Sequence, residues 1–256
     1  MKRIVMGLLA VGLLVPGMAR AEPGLGAPAP AEADASGSDV TEWDPWEGFN
    51  RKMFWFNEKL DVYVLEPAGK GWDWVLPDPL QRAIRRSLLN FREPWVMTND
   101  VLQGKIVAGG NDLARFLTNT TVGVAGVFDV AAHWGLERND EDFGQTLGVW
   151  GVGPGPYLVM PLAGPLNIRD GVGYGVDTAA RVWPFYAPFL VSAGVTTLDT
   201  VNSRSLILDE IDEARKASLD FYVGVRNAYG QRRRRQIADS REVDTYDAED
   251  LYFQTD

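Results

Sequence analysis

At 256 residues, with 46% hydrophobic and 23% charged side chains, the chain is long enough to bury a core as one domain or two small ones, and it is too apolar to be a disordered chain. Its 25 basic residues stand against 35 acidic ones, a balance that argues against nucleic acid as a partner. It has no cysteine, which excludes disulfides, a thiol nucleophile and a cysteine acceptor for a lipid anchor within these residues.

Residues 1–21 read as a secretory signal. Lys2 and Arg3 precede an apolar run from Ile4 to Val15, a Pro16-Gly17 break follows, and Ala19-Arg20-Ala21 makes an A-x-A cleavage site. The run is too short to span the roughly 30 Å hydrocarbon core. Cleavage would remove three basic and no acidic residues, leaving a mature charge of about -13. Residues 22–42, rich in Ala, Pro, Gly and Ser, read as a flexible tether.

From Trp43 the pattern becomes helical. Asp44 and Pro45 fit an N-cap and a first helical position. Trp46, Phe49, Met53, Phe56 and Leu60 then recur at three- and four-residue spacing, with Phe54 and Trp55 off that stripe and Arg51, Lys52, Glu58, Lys59 and Asp61 around it. This is either a helix wedged between core and another subunit or one lying at a membrane interface, where Trp rings settle and Lys stems snorkel. Residues 77–91 place Leu80, Ile84, Leu88 and Phe91 on one face beside Arg82, Arg85 and Arg86, a basic amphipathic helix that suits either anionic headgroups or the protein's own acids. A third helix is predicted over 98–120, with Gly109-Gly110 allowing close packing or a kink.

From Thr121 to Gly175 neither period lasts, although the sequence is unusually apolar for loop; VGVAGVFDVAA reads as possible helix and YLVMP as a short extended run. An apolar cluster follows at Pro184, Phe185, Tyr186, Pro188, Phe189 and Leu190, and then a helical stretch from about 205 to 235. No run from residue 22 onward has eighteen uninterrupted apolar positions, so no single helix is expected to span a bilayer. Residues 236–256 form an acidic tail that reads as disordered, and its EDLYFQ resembles a tag-removal protease site.

Enzyme signatures are nearly absent. His133 is the single histidine and no G-x-S-x-G elbow exists. GVGYGVD lacks nucleotide-loop spacing, and GVGPGP puts proline where a phosphate cradle needs N–H groups. The acids Asp140, Glu141 and Asp142, and those at 209–213, lack the spacing of a calcium loop and read as solvated faces, as does the basic block QRRRRQ. No metal or cofactor is expected.

The segments DPWEGFNRKMFWFN, REPWVMTNDVLQG, RFLTNTTVGVAGVFDVA, FGQTLGVWGVGPGPYLVMPLAGPLNIRD and FYVGVRNAY together resemble the MlaA family, also called VacJ, over residues 43–235. The resemblance implies a mainly α-helical, ring-shaped bundle of amphipathic helices with Gly/Pro-rich apolar loops, lying in the inner leaflet of the outer membrane beside a trimeric porin. It implies removal of mislocalised phospholipid from the outer leaflet through an amphipathic channel to a periplasmic lipid carrier, with no enzymatic step. Family members commonly carry an acylated lipobox cysteine, and this sequence has none.

By position in the matching segments, Arg169 and Asp170, with Asp177 behind them, are the expected polar lining of the lipid channel. Trp46, Phe49, Met53, Phe56, Asn57 and Leu60 form the expected membrane-interface helix, and Arg82, Arg85 and Arg86 are expected to face headgroups. The turn from Phe128 to Gly135 is a candidate gate. The rival readings are a structural envelope protein or adhesin, and a periplasmic lipid hydrolase.

Overall fold

The computed structural model describes residues 42–181 and 189–253; the expected signal, nearly all of the tether and the cluster at 184–188 lie outside them. Helix α1 spans Glu47–Leu60 and continues through a π-helical turn, Asp61–Leu65, into α2, Glu66–Val75. Pro67 at the start of α2 lacks an N–H and its ring would crowd the carbonyl of residue 63, so the ladder widens here by one residue, Glu66 N bonding Asp61 O.

Asp44 does not cap α1. The N-cap position is Trp46, which makes no side-chain cap bond. The Asp44 carboxylate instead turns inward and accepts from Asn50 Nδ2 at 2.7 Å, Arg226 Nη1 at 3.1 Å and the Tyr222 hydroxyl. A buried charge-assisted pair outweighs a solvent-exposed cap.

Helix α3, Asp78–Asn90, follows the Pro77 break. The single helix expected over 98–120 is two, α4 Glu93–Leu102 and α5 Ile106–Thr121, because Gly104 takes φ +89° and turns the chain back. The hairpin so formed is tight: a Cβ on Gly109 would come within 3.1 Å of Val101, whereas Gly110 faces open space. Turns occupy 122–128, with Val124 and Ala125 at φ of 53° and 56°, a conformation costly for a β-branched residue, before the short helix α6, Val130–His133.

Helix α7, Phe143–Val149, leads to a two-stranded antiparallel hairpin, β1 Tyr157–Met160 and β2 Gly164–Asn167, in the register Tyr157↔Asn167 and Met160↔Gly164. Helices α8 Ile168–Arg181, α9 Phe189–Ser205, α10 Leu208–Ala217 and α11 Phe221–Phe253 complete the chain. The helical stretch predicted over 205–235 is therefore broken near Ile207 and again at 218–220. Helix also runs past 235 into the acidic tail, where no Gly or Pro after Gly230 interrupts it.

The packing inverts that of a water-soluble domain. Among the described residues, buried polar and charged side chains outnumber buried apolar ones more than twofold. The apolar core is a small cluster of Tyr157, Val159 and Tyr222 with Met53, Phe54, Val223 and Tyr229 against it. Large apolar side chains face outward along nearly every element, from Trp43, Trp55 and Trp74 to Val107, Leu117 and Trp134. Among the described residues no helix is long and apolar enough to cross a membrane.

Candidate functional site

Helix α1 shows how the inversion is built. Its outward face carries Trp46, Phe49, Trp55 and Phe56, all exposed, while Asn50 is fully buried and Met53, Phe54 and Asn57 lie inward. The apolar stripe read from the sequence is thus split: Trp46, Phe49 and Phe56 point out, Met53 packs on the tyrosine cluster, and Leu60 is half-buried. Asn50 and Asn57, two turns apart, each pair an amide with the hairpin backbone. Asn50 donates to Tyr157 O at 3.0 Å and accepts from Val159 N at 2.9 Å; Asn57 donates to Met160 O at 2.9 Å and accepts from Leu162 N at 2.8 Å. The two amides satisfy the edge of β1 as a neighbouring strand would.

The hairpin delivers Asn167 to the start of α8, where its side chain accepts from Asp170 N at 2.8 Å and donates to the Asp170 carboxylate at 3.0 Å. Arg169 and Asp170 are both buried and joined at 2.8 Å. Their pairing is not a surface one. Arg233 from α11 grips Asp170 through Nε at 2.8 Å and Nη2 at 2.9 Å, and holds Asp142 through Nη1 at 2.7 Å, while the Tyr229 hydroxyl donates to Asp170. Asp142 also caps α7, accepting from Gln145 N at 2.9 Å. Burial followed by the charges of Asp142 and Asp170 acts on Arg233, and the net effect holds its guanidinium well above its usual range and fully charged.

Asp177 stands two turns along α8 and is buried too, but it serves other partners: it accepts from Phe143 N at 3.0 Å and from Trp95 Nε1 at 2.8 Å. Helices α7 and α8 cross so closely that a Cβ on Gly173 would overlap the backbone of Gly144. Glycine at both positions is what lets the Asp142, Asp170 and Arg233 charges meet.

A second polar core fills the α4–α5 hairpin. Lys105 pairs with Glu141 at 2.9 Å, Gln103 donates to Glu141 at 2.9 Å, and Thr146 donates to Asn99 at 2.9 Å, all buried. Asp100 and Asp112 are wholly buried, and burial, then the hydrogen bond and charge of Asp112, push Asp100 up to about 9. Beside them Arg115 reaches Asp129 at 3.0 Å and Glu93 at 3.7 Å, with Arg138 at 3.4 Å from Glu93, which burial raises to about 7.

These bonds clasp the Phe128–Gly135 segment expected to act as a gate: Asn119 donates to Asp129 at 2.9 Å and accepts from Ala131 N at 3.0 Å. His133 is exposed, its Nδ1 2.9 Å from Asp129 O. Of the basic residues on α3, Arg86 donates to Val127 O at 3.0 Å and so pins the preceding turn rather than facing outward freely. Arg82, half-buried like Arg85, lies 3.1 Å from Asp78.

The Glu141–Asp142 acids and Arg233 of the basic block, read from the sequence as solvated, are therefore core elements. The acids precede α7 and the arginine sits one turn after Tyr229, so their partners are far away in sequence and no local pattern reveals them. The Asn50–Asn57 pair carried a legible signal, two amides at a seven-residue spacing opposite the outermost aromatics.

These features define a mainly helical protein of inverted polarity, with many polar and charged side chains inside and many large apolar ones outside. The pattern of the MlaA lipoprotein family matches residues 42–236, and the chain belongs to that family. It is 38% identical over 195 residues to the intermembrane phospholipid transport system lipoprotein MlaA of Escherichia coli (strain K12), covering 74% of this chain and 76% of that protein. It is 36% identical over 190 residues to an uncharacterized protein of Rickettsia conorii, covering 74% and 76%. A solved structure described as the structural basis for maintenance of bacterial outer membrane lipid asymmetry aligns with a TM-score of 0.67 at 38% identity, covering 76% of this chain and 98% of that one.

Proposed function

We propose that this protein removes mislocalised phospholipid from the outer leaflet of the outer membrane and passes it to a periplasmic lipid carrier, so maintaining lipid asymmetry. The observation that carries this reading is the inverted packing: an exposed aromatic and aliphatic shell around a polar interior suits a body lying in one leaflet, as a ring of amphipathic helices. Relatives named for intermembrane phospholipid transport support it.

In this reading acyl chains slide along apolar wall while the headgroup passes polar groups that spare it the several-kcal/mol cost of entering dry hydrocarbon. Arg169 and Asp170 stand at the end of β2 where such a path would run, held by Arg233 and Asn167; Asp177 steadies α7 against α8. A trimeric porin is the proposed neighbour in the membrane. With no cysteine in these residues, retention falls to Trp46, Phe49, Phe56 and the other outward aromatics, with Arg82 and Arg85 at headgroup level. No catalytic role is proposed for His133.

The test is an outer-leaflet-selective acylation assay on cells lacking the gene, with and without a plasmid copy. The proposal expects outer-leaflet phospholipid to rise and the plasmid to reverse the rise; an unchanged leaflet refutes it and favours a non-transporting envelope role.

A further inference from the structure

Away from the Arg169–Asp170 cluster, a cavity of about 80 Å³ lies between α1, the π-helical turn, the β2 edge, α9, α10 and the start of α11. Phe54, Leu65, Ile207, Ile211 and Phe221 wall it, and the surface facing the void is almost wholly carbon. The charged residues beside it spend their polar ends on one another. Arg204 grips Asp61 through Nε at 2.8 Å and Nη2 at 3.1 Å, and Arg215 reaches the same carboxylate at 2.6 Å, with Glu58 and Glu66 each at 3.6 Å. What these arginines offer the void is their methylene stems.

The void is several times the roughly 10–15 Å³ that admits one water, yet it lacks the polar partners that water needs. Its natural occupant is hydrocarbon. The π-helical turn widens α1 at the point where it borders the cavity, and π-turns recur at functional sites. The same turn exposes Val62, Tyr63 and Val64 on its outer side, so the cavity sits one helix thickness behind an apolar face.

We infer that this cavity lodges a stretch of one acyl chain of a membrane phospholipid, at a station separate from the Arg169–Asp170 cluster. The identity of the ligand rests on the lipid-transport reading. A chain held here would rest against an almost wholly apolar wall while the headgroup moves.

The experiment uses the full chain reconstituted in phosphatidylethanolamine vesicles carrying a trace of phosphatidylethanolamine with a diazirine in one acyl chain, and in parallel a free fatty acid bearing the same diazirine. After irradiation, adducts are mapped by peptide mass spectrometry. Adducts of the phospholipid probe on Phe54, Ile207 or Ile211 are expected, and Ile211→Trp, which fills the void, should bring them to background while leaving adducts on exposed Val62 and Tyr63 unchanged. Phospholipid adducts confined to Val62 and Tyr63 in the wild-type protein overturn the inference even if the variant fails to fold, as does labelling by the free fatty acid alone. An unlabelled cavity with a raised outer leaflet in deletion cells would sink this inference and leave transport standing; a labelled cavity with an unchanged leaflet would do the reverse.

Discussion

Replacing Asp100 with Asn should flatten the alkaline loss of stability of this protein. Asp100 and Asp112 face each other across the α4–α5 hairpin with no exposed surface, and no hydrogen-bond donor from the rest of the protein reaches either Asp100 oxygen. Burial, and then the hydrogen bond and charge of Asp112, favour the protonated form of Asp100. The folded-state value of Asp100 is raised from 3.8 to about 9, mainly by burial. The native state therefore binds more protons than the unfolded one between those limits, and the stabilising contribution, complete below the unfolded value, is lost as pH climbs toward 9.

Glu93, raised to about 7, adds a slope of the same sign at lower pH, so the interval from pH 7 to 9 isolates Asp100. One proton at about 1.4 kcal/mol per pH unit gives a loss of about 2 kcal/mol over that interval. For a chain of this size that is a fall of roughly 4–8 °C in Tm. Thermal unfolding in detergent micelles at pH 7, 8 and 9 should show the wild type falling and Asp100→Asn nearly level. Parallel curves for the two proteins would refute the raised Asp100 carboxyl.

Changing Trp46, Phe49 and Phe56 together to Ser removes three half-exposed aromatics worth about 1 kcal/mol each in hydrocarbon, so vesicle partitioning should weaken by roughly 100-fold while circular dichroism stays unchanged. Asn57→Ala strips two backbone bonds from the hairpin and should cost about 1–3 kcal/mol, read as faster hydrogen exchange at Leu162, whose N–H loses its acceptor. Arg233→Met leaves Asp142 and Asp170 without their shared cation and should destabilise by about 3–5 kcal/mol in chemical denaturation.

Helical periodicity located α1 and α3 in the sequence, because their apolar residues recur at helical spacing whichever way they face. Periodicity does not say which way that is. In α1 the bulky stripe points mostly outward and the one fully buried position is Asn50, a choice that depends on whether the surroundings are water or lipid. The Asp44 cap failed for a related reason: its partners Tyr222 and Arg226 lie nearly the whole domain away in sequence, and no local pattern announces them. Gly104 was visible as a glycine but not as a left-handed turn, so α4 and α5 merged. Arg169 and Asp170 were legible through the order of matching segments, whereas Arg233 and Asp142, which fix their charges, looked like surface residues in charged runs.

If the outward aromatics lie in hydrocarbon while the buried charges stay inside the protein, quenchers carried by lipid chains must reach those aromatics. Fluorescence quenching can be measured for single-tryptophan variants at Trp46, Trp55 and Trp74, each with the other tryptophans changed to Phe, in vesicles whose lipids carry bromines at graded depths along the acyl chains. All three residues are exposed. Strong quenching of each by bromines in the near half of the leaflet, and little by those at the bilayer centre, is expected. Quenching by aqueous iodide with none from the brominated chains would contradict that placement.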